Sequence, residues 1–233
     1  MANAAVKADL AKMGRKVLLV EGIDDWHNFG HLILASIGSL PTCEMGHCDN
    51  DEGVLDRLTA MTEGSRRTQT VLGAVLDADR GKPEVPGDTG IQHRIRTLQG
   101  RLGAYYQIPE SFPVEGLILP PKAEKDRDRL PILGIWLMPD NERDGIFEDL
   151  LRAAMTPKSE GYIADVVDKA KAEGVASFIE VQRSKAIVKT HIAWQDPDKK
   201  NVGEAIGKNF ENLAPACGPF LKWLEMLFGE PVA

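Results

Sequence analysis

Apolar runs that do not alternate with polar residues mark the strands of this chain. The first is VLLV at 17–20. The second lies within TVLGAVLDADRG at 70–81, and the third within ILGIWLMPDN at 132–141. Runs of this kind suit a parallel sheet covered on both faces. Helical patterns separate them. One runs from about Asp24 to Ile37, another over 53–62. A third lies in IQHRIRTLQGRLGAYY, where Ile91, Ile95, Leu98 and Leu102 share a face. GIFEDLLRAAM, 145–155, predicts a fourth helix. The turn-rich stretch 41–53 has room for a short strand. KPEVPGDTG is a Pro/Gly loop, and 107–131 reads as loop-rich with a solvated charged insert, KAEKDRDR.

The remainder, 156–233, reads as mostly helical. GYIADVVDKAKAEG stops at a glycine, 177–194 reads as helix, and FLKWLEMLFG is an amphipathic closing helix. Trp136 and Trp223 are expected in the core. Alternating strands and helices predict an α/β core over 1–155, with a parallel sheet. The helical extension, 156–233, is expected to pack on the same domain.

Composition narrows the class. The chain has 233 residues, 43% of them hydrophobic, enough to bury a substantial core. No run approaches the roughly 18 apolar residues of a membrane helix. MANAAVKADLAKMGRK lacks the apolar centre of a signal peptide. A cytoplasmic protein without membrane contact is expected, and three cysteines argue against a disulfide framework. The net charge of −7 argues against nucleic-acid binding by bulk charge alone. It leaves room for an acidic site, because bound cations invert the local field.

The candidate chemistry lies where the strands end. VLLV runs into Glu21–Gly22, with Asp24 and Asp25 following. The second strand runs into Asp77-Ala78-Asp79, and the third into Pro139-Asp140-Asn141. Sites in open α/β sheets form outside the carboxyl ends of the strands. Carboxylates brought together there repel one another unless a cation intervenes, and oxygen ligands select Mg²⁺, Mn²⁺ or Ca²⁺. Extended backbone would point Asp77 and Asp79 the same way. Gly22 permits a sharp turn that leaves Asp25 in the first helical turn, facing Glu21. Taken singly, Asp24 is also a natural helix cap, Asp25 a dipole-favoured acid, and DAD a turn. His27 and His31, four apart, lack a third zinc ligand. Cys43, His47 and Cys48 fall short of a zinc-finger pattern.

Glu-Gly at one strand end followed by Asp-x-Asp at another resembles the signature of Toprim domains. These domains occur in topoisomerases, primases, recombination proteins, ribosomal-RNA maturases and OLD nucleases. VLLVEGIDDWHNF, VLDADRG, GIWLMPDNERDGIFEDLL and the WLEMLF tail are most similar to stand-alone Toprim-like proteins known as a domain of unknown function. The resemblance implies a Rossmann-like sheet bearing a metal-dependent phosphodiester-cleaving centre. By motif, Glu21, Asp77 and Asp79 would be metal ligands, joined by Asp25 as in the OLD and maturase branches. Glu148 would be a further ligand, with Asp140 or Asp149 as substitutes. The cofactor would be Mg²⁺ or Mn²⁺. Glu21 would serve as general acid or base. Lys185 and Lys189, four apart, would stabilise the transition state, with Arg80 a second candidate for that role.

The expected function is therefore a Mg²⁺/Mn²⁺-dependent nuclease acting on DNA or RNA. The alternative is a non-catalytic metal- or nucleotide-binding module whose protein partner, such as an ATPase in a phage-defence complex, delivers the substrate. Phosphoryl or nucleotidyl transfer to a small substrate is a third class. A nuclease needs a positive stripe leading to the acids. Arg94, Arg96 and Arg101 on one helix could form it, as could Lys185, Lys189, Lys199 and Lys200.

Overall fold

The structure is a computed structural model. It describes residues 13–39, 41–62, 69–79, 89–195, 198 and 202–229. Arg80, most of the KPEVPGDTG loop, Lys199 and Lys200 lie outside the described residues.

The fold is α/β. Five strands, β1 (Lys16–Val20), β2 (Glu44–His47), β3 (Val71–Asp77), β4 (Leu117–Leu119) and β5 (Ile132–Met138), form one sheet in the order β2-β1-β3-β5-β4. The first four in that order run parallel, and β4 pairs antiparallel with β5. The sheet is therefore parallel with an antiparallel edge. The loop-rich stretch 107–131 holds β4, which the sequence did not single out. A three-residue edge strand leaves too short a pattern to read. The charged insert is solvated as expected; it carries a 3-10 turn, Glu124–Asp126, and Arg129 reaches back to Asp126 and the Thr62 carbonyl.

Alternation along each strand splits the core in two. Leu18, Val20, Val75, Trp136 and Met138 face one layer of helices. These are α1 (Ile23–Ile37), α4 (Phe147–Ala153), α5 (Pro157–Ala172), α6 (Arg183–Gln195), α7 (Val202–Asn209) and α8 (Leu213–Phe228). Val17, Leu19, Leu72, Ala74, Leu76, Leu133 and Ile135 face the other side. There α2 (Asp51–Thr62) and α3 (Gly90–Leu102) cover them. The segment after α3 joins that layer through Tyr106, which donates to the Pro131 carbonyl. Among the described residues, no helix is long and apolar enough to cross a membrane.

The helical tail is part of the core. Its closing helix starts at Leu213 rather than 220, and buries Phe220, Trp223, Leu224, Leu227 and Phe228. Trp223 donates to the Leu117 carbonyl and packs 5.8 Å from Trp136. What lets α8 lie so close is a pair of glycines in register on β3 and β5, Gly73 and Gly134. A Cβ on Gly134 would stand 2.3 Å from Leu227, and one on Gly73 would stand 2.9 Å from Phe228. Glycine weakens a strand intrinsically, and here it marks a close approach. Gly134→Ala should cost about 1–3 kcal/mol, the cost of overpacking a filled core, measured by urea unfolding. A cost below about 0.5 kcal/mol would mean that α8 is free to retreat.

Candidate metal and phosphate site

The carboxyl ends of β1, β2, β3 and β5 bring the acids together. Glu21 follows β1 directly, and its Oε1 accepts the main-chain N–H of Asp77 at 2.8 Å. One hydrogen bond thus ties the ends of two neighbouring strands. Asp77 closes β3, and its Oδ1 accepts the Phe147 N–H at 3.1 Å, at the start of α4. The loops after β3 and β5 are fastened by a bridge between Ala78 and Gly145. Glu148 is thereby brought beside the ends of β1 and β3.

Gly22 is the cap of α1, in extended conformation, and Asp25 Oδ2 reaches back to its N–H at 2.9 Å. Asp24 is exposed and does not cap. Asp149 makes the same return bond at α4, to Ile146 N–H, and Ser184 donates to it at 2.6 Å. Asp140 accepts two turn amides and pairs with Arg143. Asp149 lines a small pocket with Asp79 and Ser184.

The Asp-x-Asp pair flanks Ala78, which bridges to Gly145, and Asp79 lines that same pocket beside Ile146. Asp77 binds an α4 amide, whereas Asp79, largely exposed, sits 3.9 Å from Arg94. Arg94 shares the apolar face of α3 with Ile91, Ile95 and Leu98, a spacing that signals its burial. Instead of forming a surface stripe it is buried, its side chain 7% exposed. Its Nε donates to the Asp77 carbonyl at 2.9 Å and its Nη1 to Asp51 at 2.6 Å, while Nη2 lies 3.9 Å from Glu21. Asp51 was missed. It too is an acid just beyond a strand, β2, but that strand was too short to place. Arg101 is also removed from any stripe by pairing with Glu52 and Asp56.

Lys185 and Lys189 do share one face of α6. They line a cleft of about 1030 Å³ together with Asp25, Glu148, His27, Asn28 and His31. Of the other cysteine and histidine candidates, His47 pairs with Asp49 at 3.7 Å, and Cys48 accepts from Arg57. Burial pushes the Cys43 thiol up to about 12.

The electrostatics follow from burial and like charge. Burial raises Glu21 to about 7, although the Asp77 amide and Arg94 oppose it. Asp77 is raised well above the usual carboxylate range by burial, then by Glu21, Asp25, Asp79 and Glu148. Burial also raises Asp25 and Glu148, against the pull of Lys185. Asp51 goes the other way: burial would raise it, but Arg94 outweighs that and lowers it. Among the described residues, no group of three or more His, Cys, Asp or Glu side chains is placed so that it could hold a metal ion. Glu21, Asp25, Asp79 and Glu148 act on Asp77 through their charge.

A family model described as a protein of unknown function, DUF3226, matches residues 15–229. The chain belongs to this family. No curated protein and no solved structure matches it. The DUF3226 match therefore covers every element of the sheet and every acid of the site.

Raised carboxyls make the metal-free protein pH-sensitive. Glu21 binds its proton more tightly folded, at about 7, than unfolded, at 4.5. Its favourable contribution is complete below pH 4.5 and is lost as pH rises through 7. In EDTA, stability should fall by about 2–3 kcal/mol across that window, and Glu21→Gln should flatten the fall. A wild-type profile rising over the same window would contradict this protonation.

Proposed function

We propose that this protein is a Mg²⁺- or Mn²⁺-dependent phosphodiesterase of Toprim type that cleaves DNA or RNA. The observation carrying the reading is the Glu21–Asp77 hydrogen bond at adjacent strand ends, with Asp25, Glu148 and Lys185 facing the same edge. A bound divalent ion would neutralise the scissile phosphate and lower the pKa of an attacking water. The chain's own groups have separate tasks. Glu21, titrating near neutrality, can hold or release a proton at the reacting centre. Lys185 and Lys189 present ammonium groups to the cleft, where they attract a phosphate backbone and stabilise developing charge. Asp25 and Asp149 fix the first turns of α1 and α4, so that Glu148 is held by rigid elements.

A second reading has its own support. Arg94 and Arg101 are both engaged by carboxylates of this chain, which leaves less positive surface for gripping a nucleic acid unaided. A metal- or nucleotide-binding module would suit that surface, with a partner such as an ATPase delivering the substrate.

Plasmid DNA and structured RNA, incubated with the protein in Mg²⁺, Mn²⁺ or EDTA, separate the two. The phosphodiesterase reading expects metal-dependent cleavage that falls about 100-fold or more in Glu21→Gln and Asp77→Asn, and about 10–100-fold in Lys185→Ala. Metal binding without cleavage of any substrate would favour the module. Cleavage that persists in both acid variants would place the chemistry elsewhere.

A further inference from the structure

Helix α1 presents to the cleft a stripe of polar side chains that the chemistry above leaves unused. Asp24, His27, Asn28 and His31, three and four residues apart, share one face of the helix and line the cleft. Asn28 is the unusual member. It is 8% exposed, yet its carboxamide makes no hydrogen bond among the described residues. Its polar atoms are not among those sealed from solvent, so what remains open of Asn28 is open to the cleft. A buried amide without a partner costs stability. The rings on either side are backed by the protein. His27 stands edge-on to Trp26 at 4.8 Å, and Trp26 donates to the Met45 carbonyl at 2.9 Å. Helix α7 closes on the stripe through Gly203, where a Cβ would come 2.7 Å from the His31 ring and 3.3 Å from Asn28 Oδ1. On α6, Lys185 and Lys189 line the same cleft, and neither makes an ion pair within 4 Å among the described residues.

We propose that this stripe is a nucleobase subsite, in which Asn28 hydrogen-bonds the edge of an unpaired base, adenine foremost, while Lys185 and Lys189 hold its phosphates. This rests on the reading above that the cleft receives a nucleic acid, and deepens it by naming the substrate class, a single strand. A carboxamide sets donors beside an acceptor. Adenine offers the complement at N6 and N7, the bidentate match of asparagine, and again at N6 and N1 of its unpaired edge. A base lying along α1 can also stack on an imidazole face. Asp24 and Asp25, on that helix, repel phosphate but not an uncharged base, so the base lies against α1 and the phosphates against the lysines of α6. The base must be unpaired, because an amide so deeply set is out of reach of a base still stacked in a duplex. Asn28 is thus a specificity residue and not a catalytic one.

The test is binding of short labelled homopolymers of deoxyadenosine, thymidine and deoxycytidine to the full chain in EDTA at low salt, with the adenine–thymine duplex alongside, followed by fluorescence anisotropy. Wild type should bind the adenine strand about fivefold or more tighter than the other two strands, and about 10-fold tighter than the duplex. Asn28→Ala should bind the three strands alike, with its urea midpoint unchanged or raised, because the amide it removes has no partner. Lys189→Ala should weaken all three strands by a similar factor and keep the adenine preference. No strand binding by wild type, no adenine preference, a preference that survives Asn28→Ala, or equal affinity for the duplex would each overturn the proposal. If Asn28→Ala does not fold, Asn28→Asp, of the same shape without the donor, decides: it should lose the adenine preference. A preference lost in the Asn28 variants, with no cleavage in Mg²⁺ or Mn²⁺, would uphold the subsite and sink the phosphodiesterase reading. Metal-dependent cleavage without any base preference would do the reverse.

Discussion

A carboxylate buried between the ends of two parallel strands is the constraint around which this molecule is arranged. Glu21 accepts the Asp77 amide and cannot turn away from the sheet without leaving that donor unpaired. Asp77 is held in turn by the first amide of α4. Two carboxyls so fixed cannot separate to relieve their repulsion, and both retain protons more readily than ordinary carboxyls. Each neighbour then has an electrostatic assignment: Arg94 on one side, Lys185 on the other, and helix first turns behind them.

This arrangement costs stability, and the remainder of the fold offsets it. Both faces of the sheet are buried by helices, with Trp136, Trp223, Phe220 and Phe228 fully enclosed on the α8 side. The pair Gly73–Gly134 lets α8 seat directly on the two central strands. Local violation at one edge, supported by dense packing elsewhere, is how sequences commonly accommodate a functional site.

The helical tail does more than cover hydrophobic surface. Its helix α6 carries Lys185 and Lys189 to the cleft and Ser184 to Asp149. The cleft is therefore shared between the sheet edge and the tail. Two of the arginines expected to steer a nucleic acid are instead spent on internal acids. Among the described residues lining the cleft, the Lys and Arg side chains are the two lysines of α6.

Much of this was legible along the chain. Unbroken apolar runs can only be buried on both faces, so β1, β3 and β5 followed from hydrophobicity alone, and with them the placing of Glu21 and Asp77 at one edge. Helical spacing gave α3; helices were also expected at α1 and across 177–194, the latter putting Lys185 and Lys189 on one face. Short elements were not legible: β4 has three residues, and β2 has four that carry little apolar signal, so Asp51 went unrecognised. Nor was the fate of charge. Arg94 lies on the apolar face of α3, three residues after Ile91 and four before Leu98, yet only the packing of α3 against the sheet edge brings it among Glu21, Asp51 and Asp79. The bridge from Ala78 to Gly145, which no local pattern encodes, fastens the Asp-x-Asp stretch to the loop before α4. The sequence by itself determined which residues must be buried and which acids lie at strand ends, since both follow from local pattern. Only the tertiary structure decided which charges meet, because an ion pair depends on residues distant in sequence arriving at one point.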